Sequence, residues 1–255
     1  MFFQKNLRKI ANFNVIHLPY TLSLNTENIS NPSNIHGNYP GTAIYRHLGQ
    51  TLILHASGAL YWVEEKSLLI ADMHLGKATH FNSHGISVPR AVENRTLQRL
   101  KDLLNIFSPE KCYFLGDLFH SRYNAVWDLF CDFLIQHPEV NWTLVPGNHD
   151  ILEKDKYHSC PLIISEIAIN VGPFVFIHEQ SQDQMEGYQI SGHVHPGVIL
   201  KGKGRQQLRM PCFWFGKKAA ILPAFGEFTG MHTVRPEKED TVFVIAEQHV
   251  LPAIF

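Results

Sequence analysis

Apolar residues follow two rhythms along this chain. Residues 51–55 and 59–63 are apolar stretches parted by Ala56-Ser57-Gly58, which predicts a β-hairpin. The run 67–71 is apolar without alternation and stops at Asp72, the mark of a strand buried on both faces. After Pro89 the spacing changes. Ala91, Leu97, Leu100, Leu103 and Leu104 recur at three- and four-residue steps, so they share one face of a helix. A second buried strand is expected at 112–115, a helix at 125–137 and a strand at 142–145. Further strands are expected at 174–177, 188–191, 207–210, 219–222 and 241–246. Strand and helix alternate first and strands dominate later, which predicts an α/β fold with largely buried sheets.

The first 48 residues lack either rhythm. Asn25, Asn28, Asn31, Asn34 and Asn38 stand among Ser, Pro and Gly, so residues 1–48 are expected to be a poorly ordered extension or an irregular cap without chemistry of its own. Residues 49–255 show neither a repeat nor a linker and are expected to form one catalytic domain. The start of the chain places Lys5, Arg8 and Lys9 after Phe2-Phe3, but His17 and Pro19 interrupt the apolar stretch that follows, so it does not read as a signal peptide. No run approaches the ~20 apolar residues of a membrane span. A cytoplasmic protein without a membrane partner is the expectation.

Composition changes this picture little. A chain of 255 residues can bury a substantial core, and 45% hydrophobic with 18% charged residues is a soluble globular mixture. The net charge of −1 provides no global field for a polyanion, so a nucleic-acid partner would need a local patch. Lys201, Lys203, Arg205, Arg209, Lys217 and Lys218 are the sustained basic run; on a hairpin they could guide a phosphate backbone or simply face solvent. Cys112, Cys131, Cys160 and Cys212 form no CxxC pair and are expected to be buried thiols.

The chemistry lies where apolar strands stop. Asp72-Met73-His74 follows one run, Gly116-Asp117-Leu118-Phe119-His120 the next, and Gly147-Asn148-His149-Asp150 the third; His178 and Gly192-His193-Val194-His195 follow two later strands. Ligands in α/β proteins gather at the carboxyl ends of strands, and carboxylate, imidazole and amide donors together suit divalent Mn, Fe or Zn. Glycines before Asp117, Asn148 and His193 permit tight turns. A single buried histidine is more often a hydrogen-bonded core residue. Five such strand ends in order argue instead for a metal centre. No Gly-x-Ser-x-Gly elbow and no Walker A loop offers another chemistry.

In their order, these motifs resemble the calcineurin-like metallophosphoesterase superfamily over residues 70–195. Ala71 to Ala78, residues 114–121, Arg209-Met210-Pro211-Cys212-Phe213 and residues 222–230 (LPAFGEFTG) further resemble the bacterial ligase-associated DNA damage response endonucleases, extending the likeness to about residues 51–250. The resemblance implies a four-layer α/β/β/α sandwich with two mixed sheets. It implies that Asp72, His74 and His195 hold one metal, that Asn148, His178 and His193 hold a second, and that Asp117 bridges them. It further implies two divalent ions, Mn²⁺ foremost with Fe or Zn as alternatives, and a DNA phosphodiesterase using metal-activated hydroxide. A DNA ligase and a helicase would be its partners in repair.

His149 is the expected proton donor to the leaving oxygen, with Asp150 orienting its imidazole. His120 is expected to support a ligand or to pack, and Lys77 to touch a substrate phosphate or to face solvent. His80 and His84 could share a helical face, and Phe225 and Phe228 could stack a base or belong to the core. Two other functions stay open. A hydrolase of small phosphodiesters or phosphomonoesters would use the same metal core. A non-catalytic scaffold would be expected to have lost ligands, and none is missing.

Overall fold

Strand periodicity explains why the apolar runs are unbroken. In the run Ser67–Ile70, Leu68 and Ile70 enter one core while Leu69 enters another; in Lys111–Leu115, Cys112 and Phe114 face the first core and Tyr113 and Leu115 the second. Side chains alternate across a strand, so a sheet covered on both faces demands apolar residues at every position.

The computed structural model describes residues 39, 41–77, 91–120, 123–165, 167–181, 185–202, 205–227 and 229–255. The first sheet contains β1 (Ala43–His47), β2 (Gln50–Leu54), β3 (Leu60–Trp62), β4 (Ser67–Ile70), β5 (Lys111–Leu115), β6 (Asn141–Val145) and β7 (Leu162–Ile164), in that spatial order. Pairing is antiparallel from β1 to β4 and parallel from β4 to β7. The second sheet contains β8 (Ala168–Val171), β9 (Phe174–Ile177), β10 (Tyr188–Ser191), β11 (Pro196–Lys201), β12 (Gln207–Phe215), β13 (Ala219–Ile221), β14 (His232–Thr233), β15 (Thr241–Ala246) and β16 (His249–Ala253). Its order is β14-β11-β12-β13-β10-β9-β8, with β15 against β12 and β16 against β15. Within it, β9, β10 and β13 run parallel to one another.

Helices α1 (Ala91–Phe107), α2 (Ala125–Ile135) and α3 (Lys154–His158) lie on the outer face of the first sheet. Leu100, Leu103 and Phe107 of α1 and Trp127, Phe130 and Leu134 of α2 interlock with Phe114, Trp142 and Leu144. Asn124 caps α2, its side-chain oxygen accepting from the Val126 N–H at 2.9 Å. The two sheets face each other across Trp62, Tyr113, Phe174, Phe176 and Phe213. A third cluster, of Val198, Leu200, Cys212 and Val244, lies among β11, β12 and β15. The result is an α/β sandwich with two mixed sheets, in which the described helices all cover the first sheet. No described helix is long and apolar enough to cross a membrane.

Two expectations need correction. The boundary at residue 48 falls after the first strand rather than before it, because β1 pairs with β2 from Ala43↔Leu54 to His47↔Gln50. Residues 1–38, with the five asparagines, lie outside the described residues. Cys131 and Cys160 are not thiols; they form a disulfide tying α2 to the turn after α3. Their Cα atoms are 5.0 Å apart across 29 residues of sequence, a proximity that only the packing of α2 and α3 on one sheet creates. Cys112 and Cys212 are free and buried, and burial pushes the Cys212 thiol up to about 12.

Ser108 ends α1 in the left-handed region (φ 45°), its N–H donating to the Leu104 carbonyl at 2.8 Å. A non-glycine residue there costs about 1–2 kcal/mol, of which glycine's freer unfolded chain offsets about 0.4–1. Ser108→Gly is therefore expected to raise the thermal midpoint by about 1–3 °C. A lower midpoint in a calorimetric scan would mean that the exposed serine side chain itself stabilises the turn.

Candidate active site

Parallel pairing puts the carboxyl ends of β4, β5 and β6 side by side at one edge of the first sheet, and those of β9 and β10 side by side in the second. An isolated parallel bridge, Ala71↔Ala224, joins the chain leaving β4 to the segment leaving β13. The loops that follow these strands carry the residues singled out in the sequence, and the structure brings them together as two clusters. Asp72, His74 and His195 form one; Asp117, His178 and His193 form the other, with the ligand atoms of each within 4.8 Å of one another.

Asp117 faces both. Its Oδ2 lies 3.8 Å from His74 Nε2, and its Oδ1 lies 3.5 Å from His178 Nε2. The other carboxylate, Asp72, is fully buried and accepts the His193 backbone N–H on both oxygens, at 3.0 and 2.9 Å. His195 Nε2 approaches Asp72 Oδ1 at 3.5 Å and His74 Nε2 at 3.3 Å. On the other side, His193 Nδ1 lies 3.1 Å from His178 Nε2.

The backbone is strained to achieve this. Asp72, His74, Asp117, His193 and His195 all have positive φ, between 48° and 66°. Such conformations cost non-glycine residues about 1–3 kcal/mol each and persist only where the surrounding structure imposes them. The preceding glycines serve two different purposes. Gly116 has φ 77°, as a tight turn requires. Gly147 and Gly192 are needed for space alone: a Cβ on Gly147 would lie 2.5 Å from Asp117 Oδ1, and one on Gly192 2.5 Å from Asp72 Oδ2.

The donor set fits a pair of cations. His178 Nδ1 donates to the Leu115 carbonyl at 3.1 Å and His195 Nδ1 to the Thr229 carbonyl at 3.1 Å. These bonds select the tautomer that leaves each Nε2 with a lone pair aimed at a carboxylate and another imidazole. Lone pairs facing buried carboxylates at 3.5 Å repel one another unless positive charge stands between them. Burial, reinforced by the charges of Lys77 and neighbouring imidazoles, holds His74 down to about 2, keeping it neutral and able to coordinate. For His195 burial also acts downward, but the hydrogen bond and charge of Asp72 outweigh it and the pKa is raised.

Around the clusters, His149 is half-exposed. Its backbone N–H donates to Asp117 Oδ1 at 2.9 Å, its Nε2 lies 4.0 Å from Asp117 Oδ2, and its ring packs 4.0 Å from that of His120. His120 Nδ1 meets His74 Nδ1 at 3.1 Å, so it supports a cluster residue. Lys77 is half-buried, and burial pulls its ammonium pKa down against the upward pull of Asp117 and Asp72. Asn148 is exposed on the loop that Gly147 presses against Asp117 and His178.

Asp150 departs from expectation. Its carboxylate accepts the backbone N–H groups of Gly147 at 2.8 Å and Phe119 at 3.0 Å, so it pins two loops together rather than orienting the His149 ring. Burial raises its pKa to about 6. Phe225 is buried beneath the Arg99 guanidinium and belongs to the core. Lys201, Arg205 and Arg209 are exposed on the β11–β12 hairpin, and Lys217 and Lys218 on the β12–β13 turn at the other end of β12. His80, His84, Lys203 and Phe228 lie outside the described residues. Sequence reasoning missed Thr229 and Leu115, which act through their carbonyls and leave no trace in side-chain identity. It also missed Glu179, whose Oε1 lies 3.7 Å from His193 Nε2.

Comparison with known proteins agrees with this geometry. Residues 66–209 match the calcineurin-like phosphoesterase family. The crystal structure of Pseudomonas putida nuclease MPE is similar, with 32% identity and a TM-score of 0.71 over 83% of this chain and 99% of that one. Yfce, a phosphoesterase from E. coli, aligns with 74% of this chain and 99% of its own at 12% identity and a TM-score of 0.41, too distant to carry an argument. No curated protein matches the chain. A family match spanning 144 residues, with both ligand clusters at the strand ends inside it, establishes that this chain belongs to the calcineurin-like phosphoesterases and is a metal-dependent phosphoesterase.

Proposed function

We propose that the protein is a two-metal phosphodiesterase that cleaves DNA, with Mn²⁺ as its working ion. The observation that carries hydrolysis is the pair of clusters meeting at Asp117, each of whose oxygens faces a different cluster. DNA as substrate is supported by the 32% identity to a nuclease across most of the chain. In this reading Asp72, His74 and His195 hold the first ion, Asn148, His178 and His193 the second, and Asp117 bridges. When bound, two divalent ions supply charge to the phosphoryl oxygens and lower the pKa of a water. The narrower resemblance to ligase-associated endonucleases supports a cytoplasmic role in DNA repair, with a ligase and a helicase as partners.

The residues of the chain do the rest. Asp72 and Asp117 set the charge of the centre, and the carbonyls of Leu115 and Thr229 keep His178 and His195 aimed inward. His149 stands half-exposed beside Asp117, where it can give a proton to a leaving oxygen; the backbone bond to Asp117 and the loop pinned by Asp150 hold it there. Lys77 adds positive charge at the same mouth for a scissile phosphate.

His149→Ala is expected to lower kcat on single-stranded DNA by about 10²–10⁴-fold, the usual contribution of a positioned proton donor. The loss should be much smaller on bis-p-nitrophenyl phosphate, whose leaving group departs without a proton. Equal loss on both substrates would remove His149 from proton transfer. The reading as a whole is tested by supplying the metal-stripped protein with Mn²⁺ and offering DNA, bis-p-nitrophenyl phosphate and p-nitrophenyl phosphate. Metal-dependent cleavage of DNA and the diester supports it. Turnover of the small esters alone would make the protein a small-substrate hydrolase, and no turnover with any divalent ion would make it a scaffold.

A further inference from the structure

A cavity of about 710 Å³ opens beside the metal clusters yet contains none of their residues. It lies where the β2–β3 turn, α1, the segment after β13 and the β15–β16 turn meet, and its volume is that of a small-molecule site. Its walls carry hydrogen-bond donors. Arg99 reaches from α1 across the Phe225 ring, its guanidinium carbon 4.3 Å from the ring centre, and its Nη2 donates to the Phe225 carbonyl. Its Nε is buried and has no partner among the described residues, while the side chain as a whole keeps 31% of its surface accessible. Glu227 does not neutralise it closely: Oε1 is 3.9 Å from Arg99 Nη1, whereas Arg95 takes the same carboxylate at 2.8 Å.

His55 supplies a second donor. Its Nδ1 accepts the Ser57 N–H at 3.1 Å and lies 2.9 Å from Ser57 Oγ, which leaves the ring proton on Nε2. Burial and the nearby Arg99 charge keep this imidazole neutral. Beside these donors the lining is apolar at Ala56, Pro211 and Ile245, and acceptors follow at Glu247 and Gln248.

We infer that this cavity binds a nucleotide unit, the phosphate on Arg99 and His55, the base against Pro211 and Ile245, and a base-edge amine toward Glu247. A guanidinium that lines the cavity, and that its nearest carboxylate meets only at 3.9 Å, suits an anion. An apolar wall with a carboxylate beside it suits a base, which offers an apolar face and an amine edge, better than a sugar or a lipid chain. The unit is either a free mononucleotide or a residue of a bound strand, and only the second source rests on the nuclease reading. The cavity also communicates with the centre. Phe225 N–H donates to the Ala71 carbonyl at 2.9 Å and Gly226 N–H to the Asp72 carbonyl at 3.0 Å, so a ligand against Phe225 and Gly226 sits one loop from a cluster carboxylate.

The test is equilibrium dialysis of dAMP against the full-length protein supplied with Mn²⁺, with Ile245→Trp to fill the cavity and Arg99→Gln to remove its charge. Wild type is expected to hold one dAMP per chain that Ile245→Trp does not hold and that Arg99→Gln binds about tenfold or more weakly. Deoxyadenosine should bind that site at least about tenfold more weakly than dAMP, since it lacks the anion. The same stoichiometry and affinity in wild type and both variants overturns the proposal. The variants lie on different elements, β15 and α1, so a shared loss is not one local misfolding. A raised KM for single-stranded DNA in both variants identifies the occupant as part of the strand; an unchanged KM with the dAMP site lost identifies a free nucleotide. Loss of the dAMP site in a protein that cleaves no DNA would sink the nuclease reading and leave this site standing.

Discussion

Asp117→Asn is expected to lower Mn²⁺-supported turnover by about a hundredfold or more and to remove most of the thermal stabilisation that Mn²⁺ confers. Wild type should gain stability with added Mn²⁺ as any protein does whose ligand binds only the folded state, by about 2.7 kcal/mol at a hundred times Kd. Groups that merely support a metal ligand cost 10–100-fold when lost, roughly, and Asp117 stands closer in than that: its two oxygens face His74 and His178, one from each cluster. An amide keeps the shape and removes the charge. It also puts an N–H₂ group, which cannot coordinate a cation, in place of one oxygen: either on the side of His74 or where Oδ1 now accepts the His149 backbone N–H at 2.9 Å. Turnover and the Mn²⁺-dependent shift in thermal midpoint should fall together. A variant that keeps wild-type turnover would remove Asp117 from the bridge.

Gly116→Ala is expected to be strongly destabilising for a single added methyl group. A Cβ there would lie 2.0 Å from His178 Nδ1 and 2.4 Å from its Cγ, so the buried imidazole must leave its place and its hydrogen bond to Leu115. Left-handed strain at φ 77° costs about 1–2 kcal/mol, and an abandoned buried bond about 1–3 more. The sum, about 3 kcal/mol, corresponds to a midpoint lower by roughly 6–12 °C. Gly49 provides the control. It has nearly the same φ, 75°, but a Cβ there meets nothing within 4 Å, so Gly49→Ala should show the strain alone. Equal midpoints for the two variants would mean that His178 is not held by the packing described here.

How far the sequence could be read depended on the kind of signal. Strand ends were legible because burial on both faces writes an unbroken apolar run, and the first polar residue after it marks the carboxyl end. Thus β4, β5, β6, β9 and β10 were expected nearly where they lie, and Asp72, Asp117, His178 and His193 with them. Elements at the edges were not legible. β1 has no fully buried position, β7 leaves Ile163 and Ile164 exposed, and β11 begins Pro196-Gly197, so none repeats the buried pattern. Asp150 was placed correctly in its motif but given the wrong neighbour, because adjacency in sequence says nothing about which way a carboxylate turns.

By itself, the sequence determined the α/β class, the family and the donor types at each strand end, since local periodicity and short motifs act through neighbouring residues alone. Only the tertiary structure decided what joins them. The Cys131–Cys160 bridge, the Thr229 and Leu115 carbonyls that set two histidine tautomers, the space reserved at Gly147 and Gly192, and the cavity around Arg99 all depend on segments far apart in the chain. Backbone carbonyls and empty volume have no residue code, and long-range proximity is a property of how two sheets pack, which no local pattern records.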